Sequence, residues 1–231
     1  AIGEHPGCNR GTIWIFTNAD SVRMYKNDRF IKEYDTSGSP YKNLLHGPIA
    51  LDDFIGDAIA EGEQFKPAQE REVKYILNAA ARYGLSDLPK RVYLAALKLI
   101  LIYHMKPTDA VALYNRYIGD WGGTSTSYRF EALKDGKVVK TVRKEPVTSM
   151  HLYAKADHQS LFEEHTYDAA EIRIRALDQN NNIVNFYQEP VVISAEGPIA
   201  IIGPKIISLQ GGMGGAYIKT TGEEGVGILR V

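Results

Sequence analysis

Two carboxylates held about 5–10 Å apart can act as the acid and the nucleophile or base of a hydrolase. Glu163 and Glu164 adjoin a predicted turn, which is typical of solvated side chains. Glu189 follows Gln188, and the strand pattern brings no second acid opposite it. The Gly-x-Ser-x-Gly turn that carries a nucleophilic serine is also absent from the sequence. The sequence therefore predicts no catalytic residue in this chain.

Histidine and cysteine could bind a metal or act as a nucleophile. The six histidines form no His-Glu-x-x-His arrangement. His151, His158 and His165 recur every seven residues, but on predicted strands and loops that spacing does not bring side chains together. Cys8 is the single cysteine, and an incidental or buried thiol is favoured over a nucleophile, which would need a nearby histidine. We predict no metal and no cofactor.

Four oxygen-bearing side chains match positions 1, 3, 5 and 12 of a calcium-binding EF-hand loop: Asp178, Asn180, Asn182 and Glu189. Position 6 of such a loop is glycine, and here it is Ile183. The flanking segments have the pattern of strands, whereas an EF-hand loop joins two helices. The sequence favours a solvated hairpin turn over a calcium site.

A run of glycines at 211–215 is broken only by Met213. A phosphate-binding loop needs a following Lys-Ser or Lys-Thr pair and a helix, and neither is present. Strands are predicted on both sides, so we expect a connection within a sheet.

The strand pattern begins at Ile13–Phe16, four large apolar residues between polar ones, which predicts a strand buried on both faces. Two further strands follow at 21–25 and 30–34, joined by a four-residue hairpin loop at 26–29. Their missing partners are predicted at 128–133 and 138–142, about a hundred residues later. One β-domain is therefore expected to be split by the segment between them.

That segment has the periodicity of about four helices. They are predicted at 52–59 with an end near Gly62, from Pro67 to a cap at Gly84, at about 88–103, and from 108 to 119. In the fourth helix Val111, Tyr114 and Ile118 are predicted to share the inner face.

The third of these helices is apolar almost all round, which predicts the buried centre of the block, with Leu97 and Leu101 in the core. It is too short for a membrane span and carries Lys98 in its middle.

The polar segment 143–146 is predicted to be a domain boundary, and the residues after it have only strand and turn patterns. Ala170, Ile172, Ile174 and Ala176 alternate with charged residues, which predicts a strand with one face in the core. Short strands separated by Gly and Pro turns over about 85 residues are typical of a β-sandwich.

The composition of the chain disfavours two classes of binding partner. The chain has 231 residues, 44% of them hydrophobic and 24% charged, with a net charge of −1, so neither nucleic acid nor an anionic membrane is predicted as a partner. The sequence opens without Met or a signal-peptide pattern, which we interpret as a piece of a longer polypeptide, with a cytoplasmic location favoured.

Several segments resemble glycoside hydrolase family 2. Thr17-Asn18-Ala19-Asp20-Ser21-Val22, followed by Asn27-Asp28, is similar to the pattern that opens the immunoglobulin-like domain behind the family's catalytic barrel. Three later segments resemble the C-terminal immunoglobulin-like domain of bacterial β-galactosidases: 172–178, 192–198 and 220–223. The resemblance covers most of the chain and is weakest in the helical block. Ala19 departs from the family, which usually has Cys there.

The strand and helix patterns predict a mainly β fold with an α-helical insertion, a bundle of about four helices at about 41–120 that departs from the family. The resemblance implies two immunoglobulin-like β-sandwich domains, residues 1–146, which this bundle interrupts, and residues 147–231. It also implies a non-catalytic accessory role in a retaining, β-galactosidase-like parent enzyme. The family's catalytic glutamates lie in a barrel absent from this chain, so that barrel is the implied partner, with homo-oligomers formed through the parent.

Two other functions remain open: a carbohydrate-binding module and an adhesin-like string of immunoglobulin-like domains. For sugar binding the candidate residue is Trp121, because the neighbouring glycines Gly119, Gly122 and Gly123 could carry its indole to the surface. The alternative for Trp121 is that it fills the seam between the helices and the sheet, since aromatic side chains dominate core packing.

Overall fold

The computed structural model describes residues 2–3, 11–119 and 126–231. It divides into two compact units, Ala1–Pro146 and Val147–Val231. Strands account for 35% of the chain and helices for 23%, so the predicted mainly β fold with helices is confirmed at that level.

Among its described residues the first unit has six strands: β1 (Trp14–Ile15), β2 (Ser21–Lys26), β3 (Arg29–Asp35), β4 (Ile49–Ala50), β5 (Tyr128–Lys134) and β6 (Lys137–Lys144). Four of them form one antiparallel sheet in the order β3-β2-β5-β6. Val22 of β2 lies opposite Ala132 of β5, so the predicted pairing across about a hundred residues is confirmed.

The β2–β3 connection is tighter than predicted. Lys26 pairs with Arg29, which leaves a two-residue turn of Asn27 and Asp28. Both turn residues have positive φ, 49° and 61°, the conformation that matches the twist of a hairpin and that Asn and Asp tolerate.

The prediction that Ile13–Phe16 is buried on both faces is wrong. The strand there, β1, has two residues and pairs only with β4, outside the four-stranded sheet. Ile13, Trp14 and Ile15 are half-buried and Phe16 is 79% exposed. A pair of two-residue strands covers too little of its neighbours to bury all four side chains.

The helices of the first unit are α1 (Ala58–Gly62), α2 (Pro67–Tyr83), α3 (Lys90–Tyr103) and α4 (Pro107–Tyr117). Pro67 begins α2 as predicted, and Gly84 ends it with a φ of 73°. The predicted start of the first helix at residue 52 is wrong, because 52–57 are irregular, with a turn at 56–57, and the helix begins only at Ala58; its predicted end near Gly62 is confirmed. Gly56 is required in that turn, since its φ is 60° and a Cβ would lie 3.0 Å from the carbonyl oxygen of Ile31.

The core of the first unit lies where the four-stranded sheet meets α2, α4 and the segment 49–59. The sheet and the segment 49–59 both contribute to its most completely buried large side chains, which include Met24, Leu51, Phe54, Ile55, Ile59 and Tyr128. Burying a side chain of this size contributes about 1.5–3 kcal/mol to the free energy of unfolding. The helical segment and the sheet therefore share one core.

The prediction that the third helix, α3, is the buried centre of the helical block is wrong. In α3, which packs on α2, only Val92, Ala95 and Leu99 are buried. Leu97 and Leu101 are 51% and 63% exposed. Within the described part of the chain, none of the helices is long and apolar enough to cross a membrane.

The predicted inner face of the fourth helix needs one correction. Ile118, just after α4, is buried as predicted, and Tyr114 is half-buried. Val111, however, is 61% exposed, and the buried residues of α4 are Leu113 and Tyr117.

The second unit consists of strands β7 (Met150–Ala156), β8 (Ala169–Asp178), β9 (Pro190–Val192), β10 (Ser194–Glu196), β11 (Ile199–Ile202), β12 (Ile206–Ser208), β13 (Met213–Thr220) and β14 (Ile228–Arg230). They form a four-stranded sheet in the order β11-β13-β8-β7 and the pairs β12-β9 and β10-β14. The predicted inner face of β8 is confirmed: Ala170, Ile172, Ile174 and Ala176 are all at most 3% exposed. They pack against Val191, from β9, and against other residues of the second unit's core.

Candidate functional site

Two residues singled out by the sequence, Trp121 and Cys8, lie outside the described residues. Sugar stacking on Trp121 therefore stays a prediction. Across residues 2–3, 11–119 and 126–231, there is no group of three or more His, Cys, Asp or Glu side chains that could hold a metal ion.

Asp178, the first residue of the EF-hand-like pattern, is buried at the end of β8. Its Oδ1 accepts hydrogen bonds from the backbone N–H groups of Asn180 and Asn182, both at 2.8 Å, and Oδ2 accepts one from Asn182 Nδ2 at 2.9 Å. A calcium ion would need these same oxygen lone pairs. The carboxylate holds the predicted turn together, but the prediction that this turn is solvated is wrong for Asp178, which is 2% exposed.

The predicted connection within a sheet is confirmed only at its start, where Gly211 and Gly212 form a turn, and the rest of the glycine run belongs to a strand. Residues from Met213 onward belong to β13, which pairs with β8. A Cβ on Gly212 would lie 2.5 Å from the carbonyl oxygen of Val184, and one on Gly214 would lie 2.7 Å from a methyl group of Leu209. Glycine is needed here because chain and side chains approach each other closely.

A cleft of about 1060 Å³ lies in the second unit. Its lining includes apolar side chains, such as Ile172 and Ile218, and four glutamates: Glu163, Glu164, Glu223 and Glu224. Glu163 Oε2 accepts a hydrogen bond from the backbone N–H of Gly222 at 2.9 Å, so Glu163 ties two loops together. The cleft combines apolar walls with negative charge.

One carboxyl group that is bonded to a residue of the cleft lining, that of Asp168, is stabilised in the charged form. Asp168 accepts hydrogen bonds from the N–H groups of Phe162 and Ala169 at 2.9 and 2.8 Å, and these bonds lower its pKa. Every carboxyl group with a shifted pKa in the described residues is shifted downward: Glu33, Asp35, Asp157, Asp168 and Glu171. A general acid that protonates a glycosidic oxygen needs a raised pKa.

A polar centre that sequence reasoning missed lies in the first unit, at Asp53. Its Oδ1 accepts hydrogen bonds from the N–H groups of Ile55 and Gly56, both at 3.0 Å, and from Asn78 Nδ2 at 3.1 Å. Its Oδ2 lies 2.7 Å from Lys74 Nζ. Asp53 therefore joins the 49–59 segment to α2, and only the Asp-x-Ile-Gly turn in the sequence signalled it.

The same segment is tied to the sheet. The Tyr34 hydroxyl, on β3, donates to the Asp53 carbonyl oxygen at 3.0 Å. Asn78 Oδ1, on α2, accepts from the Phe54 N–H at 2.9 Å. Backbone groups that would otherwise be buried without partners are thus satisfied from two sides. We interpret this arrangement as structural, because its polar atoms bind one another.

Lys26 connects the sheet to α4. It lies half-buried at the end of β2, and its Nζ donates to the carbonyl oxygens of Tyr117 and Ile118 at 2.7 and 3.0 Å. Burial lowers the pKa of Lys26 to about 8. The sequence held no signal for this contact, because the acceptors lie about ninety residues away.

We expect a pH-dependent contribution from Lys26. Its ordinary pKa is 10.5, so between pH 8 and 10.5 the unfolded chain binds more protons than the folded one, and the free energy of unfolding rises with pH in that window. Relative to Lys26→Met, the wild type should gain about 3 kcal/mol from pH 8 to pH 10.5. Urea titrations followed by tryptophan fluorescence report the first unit, since Trp14 and Trp121 both belong to it. A constant difference between the two proteins across this range would contradict the expectation.

Comparison with known proteins places the chain in a family. No protein-family model matches it. A β-galactosidase from Rhizobium radiobacter is 33% identical over 117 residues, which is 46% of this chain and 78% of that protein. The chain belongs to the β-galactosidases of glycoside hydrolase family 2. A second β-galactosidase, from Rhizobium meliloti, is 36% identical over 99 residues, 42% of this chain.

Solved family 2 structures share the fold. A glycosyl hydrolase family 2 member from Bacteroides cellulosilyticus matches 99% of this chain with a TM-score of 0.50 and 11% identity. A β-glycosidase from Bacteroides vulgatus also matches 99%, with a TM-score of 0.52 and 13% identity. In each case the chain spans 22% of the solved protein, and it spans 13% of the Rhizobium meliloti β-galactosidase. The chain corresponds to a C-terminal region of family 2 enzymes.

Proposed function

We propose that the chain is a non-catalytic accessory part of a β-galactosidase-like family 2 enzyme, which supports the catalytic barrel or the assembly of the parent. The observation that carries the proposal is the family membership, together with a coverage of only 22% of the solved relatives. The downward pKa shifts of the carboxyl groups also support it, because they suit structural acceptors and not a general acid.

We also propose a domain architecture for this chain. The two units, Ala1–Pro146 and Val147–Val231, are two immunoglobulin-like β-sandwich domains, and the four helices are an insertion in the first. Supporting this, the helices and the sheet of the first unit share one core. In the second unit the inner face of β8 packs against β9, as two layers of a sandwich do.

The proposed function predicts where the activity lies. The 231-residue chain should give no turnover of nitrophenyl β-galactoside at high protein concentration, whereas the full-length protein encoded by the same gene should hydrolyse it. Turnover by the 231-residue chain that persists through purification and disappears in a Glu163→Gln, Glu164→Gln double variant would overturn the accessory role. Absence of turnover by the full-length protein on galactoside, glucuronide and mannoside substrates would overturn the link to hydrolysis.

A further inference from the structure

We propose that the outer face of α3 is a docking surface for another domain of the same polypeptide. The proposal rests on the proposed function, since it needs a parent chain that extends beyond these residues.

Five large apolar side chains form this surface, which we call the α3 outer stripe: Tyr93, Leu94, Leu97, Ile100 and Leu101. Their exposed fractions are 58%, 69%, 51%, 48% and 63%. At about 100° per residue the five fall within an arc of about 120°. The stripe is therefore continuous and lies on the side of the helix opposite the buried residues.

The stripe is unusual for a surface that faces water. A helix at a protein surface has one apolar face, turned to the core, and a polar opposite face. In α3 the inward face of Val92, Ala95 and Leu99 already packs in the protein, and a second apolar face remains. Contiguous exposed apolar area of a few hundred Å² marks an interaction site.

The charges of α3 indicate the chemistry of the surface that covers the stripe. Helix α3 carries Lys90, Arg91 and Lys98 and no acidic residue. Lys98 is paired with Glu72 at 2.7 Å, and Arg91 lies over the ring of Tyr75. Lys90, in contrast, falls at the same helical angle as the stripe, at its N-terminal end. A surface with an apolar groove and acidic residues beside it complements the stripe.

The size of the stripe favours a partner in the same chain. Five side chains of this exposure cover on the order of 500 Å², so two copies would bury about 1,000 Å² in total, below the roughly 1,200–2,000 Å² of a stable complex between separate proteins. Contacts between domains of one chain are commonly about 600–1,500 Å². Relatives provide such domains, since this chain spans 22% of the solved family 2 proteins.

Photo-crosslinking in the full-length protein tests this contact directly. Leu97 is replaced by the photoreactive residue p-benzoylphenylalanine, and the cross-linked peptides are identified by mass spectrometry after irradiation. Ile102 is the matched control, because it is 62% exposed on the same helix but lies outside the stripe. We expect cross-links from position 97 to peptides outside these 231 residues, within one polypeptide, at least about tenfold more abundant than from position 102.

A second measurement does not depend on cross-linking chemistry. A Leu97→Glu, Leu101→Glu double variant of the full-length protein should unfold at a temperature at least about 5 °C lower than wild type, whereas Ile102→Glu should leave it unchanged. Cross-links from position 97 to the same helix of another copy, or equal cross-linking and equal thermal shifts at the two positions, would overturn the docking proposal. Turnover of galactoside, glucuronide and mannoside substrates is measured on the same samples. If turnover is retained while the stripe gives no cross-links, the docking proposal alone fails. If wild type turns over none of the three, the proposed function fails.

Discussion

Replacing Asp53 with alanine is expected to lower the free energy of unfolding of the first unit by about 3–5 kcal/mol. The carboxylate is 13% exposed, accepts hydrogen bonds from Ile55, Gly56 and Asn78, and pairs with Lys74 at 2.7 Å. Removing it leaves two backbone N–H groups and an ammonium group without their acceptor in a partly buried site. Urea unfolding followed by tryptophan fluorescence gives the free energy.

The neighbouring residue supplies the control. Asp52 makes one ion pair, with Lys32 at 2.7 Å, and both side chains are at least 40% exposed. Asp52→Ala should therefore change the free energy of unfolding by about 1 kcal/mol or less. Asp53→Asn keeps an oxygen for the N–H groups but loses the ion pair with Lys74. It should therefore lower the free energy of unfolding by more than Asp52→Ala and by less than Asp53→Ala. Equal effects of Asp52→Ala and Asp53→Ala would show that the Asp53 centre does not hold the segment in place.

Leu99→Ala is expected to destabilise the first unit by about 2–5 kcal/mol. Leu99 is 4% exposed and belongs to the core shared by the sheet and the helices. The substitution removes apolar surface from that core and leaves a cavity, and each effect lowers the free energy of unfolding. Denaturant titration with tryptophan fluorescence measures the change.

Leu97→Ala makes the same change two residues away and is the matched variant. Leu97 is 51% exposed, so its truncation leaves no cavity and should cost about 0.5 kcal/mol or less. The comparison cancels most of the effect of substituting Leu by Ala in a helix. If Leu97→Ala costs as much as Leu99→Ala in the 231-residue chain, the described orientation of α3 is wrong.

The orientation of α3 connects stability to function. The helix stabilises the first unit through one face and presents the α3 outer stripe through the other. Substitutions on the inner face should therefore act on folding of the unit, while substitutions in the stripe should act on its contact with the rest of the parent. The two classes of variant separate a structural role from an assembly role within one helix.

Local patterns in the sequence were sufficient to predict those features that depend on one segment alone. The period-two alternation of Ala170, Ile172 and Ile174 predicted the inner face of β8, because successive strand residues point to opposite faces. Pro67 and Gly84 predicted the ends of α2, because each has a backbone preference that does not depend on the fold. Family-like segments at the start and end of the chain predicted the family.

Only the tertiary structure decided which of two equivalent faces is buried and which distant atoms meet. α3 has two apolar stripes, and periodicity alone assigns both to the core, although α2 covers one and nothing within the described residues covers the other. Lys26 finds its carbonyl partners about ninety residues away, and Asp53 finds Lys74 and Asn78 on another element. The sequence thus determined the family and the elements that carry their own signal, while packing between distant segments determined the core and the exposed surface, because burial depends on what the fold brings alongside.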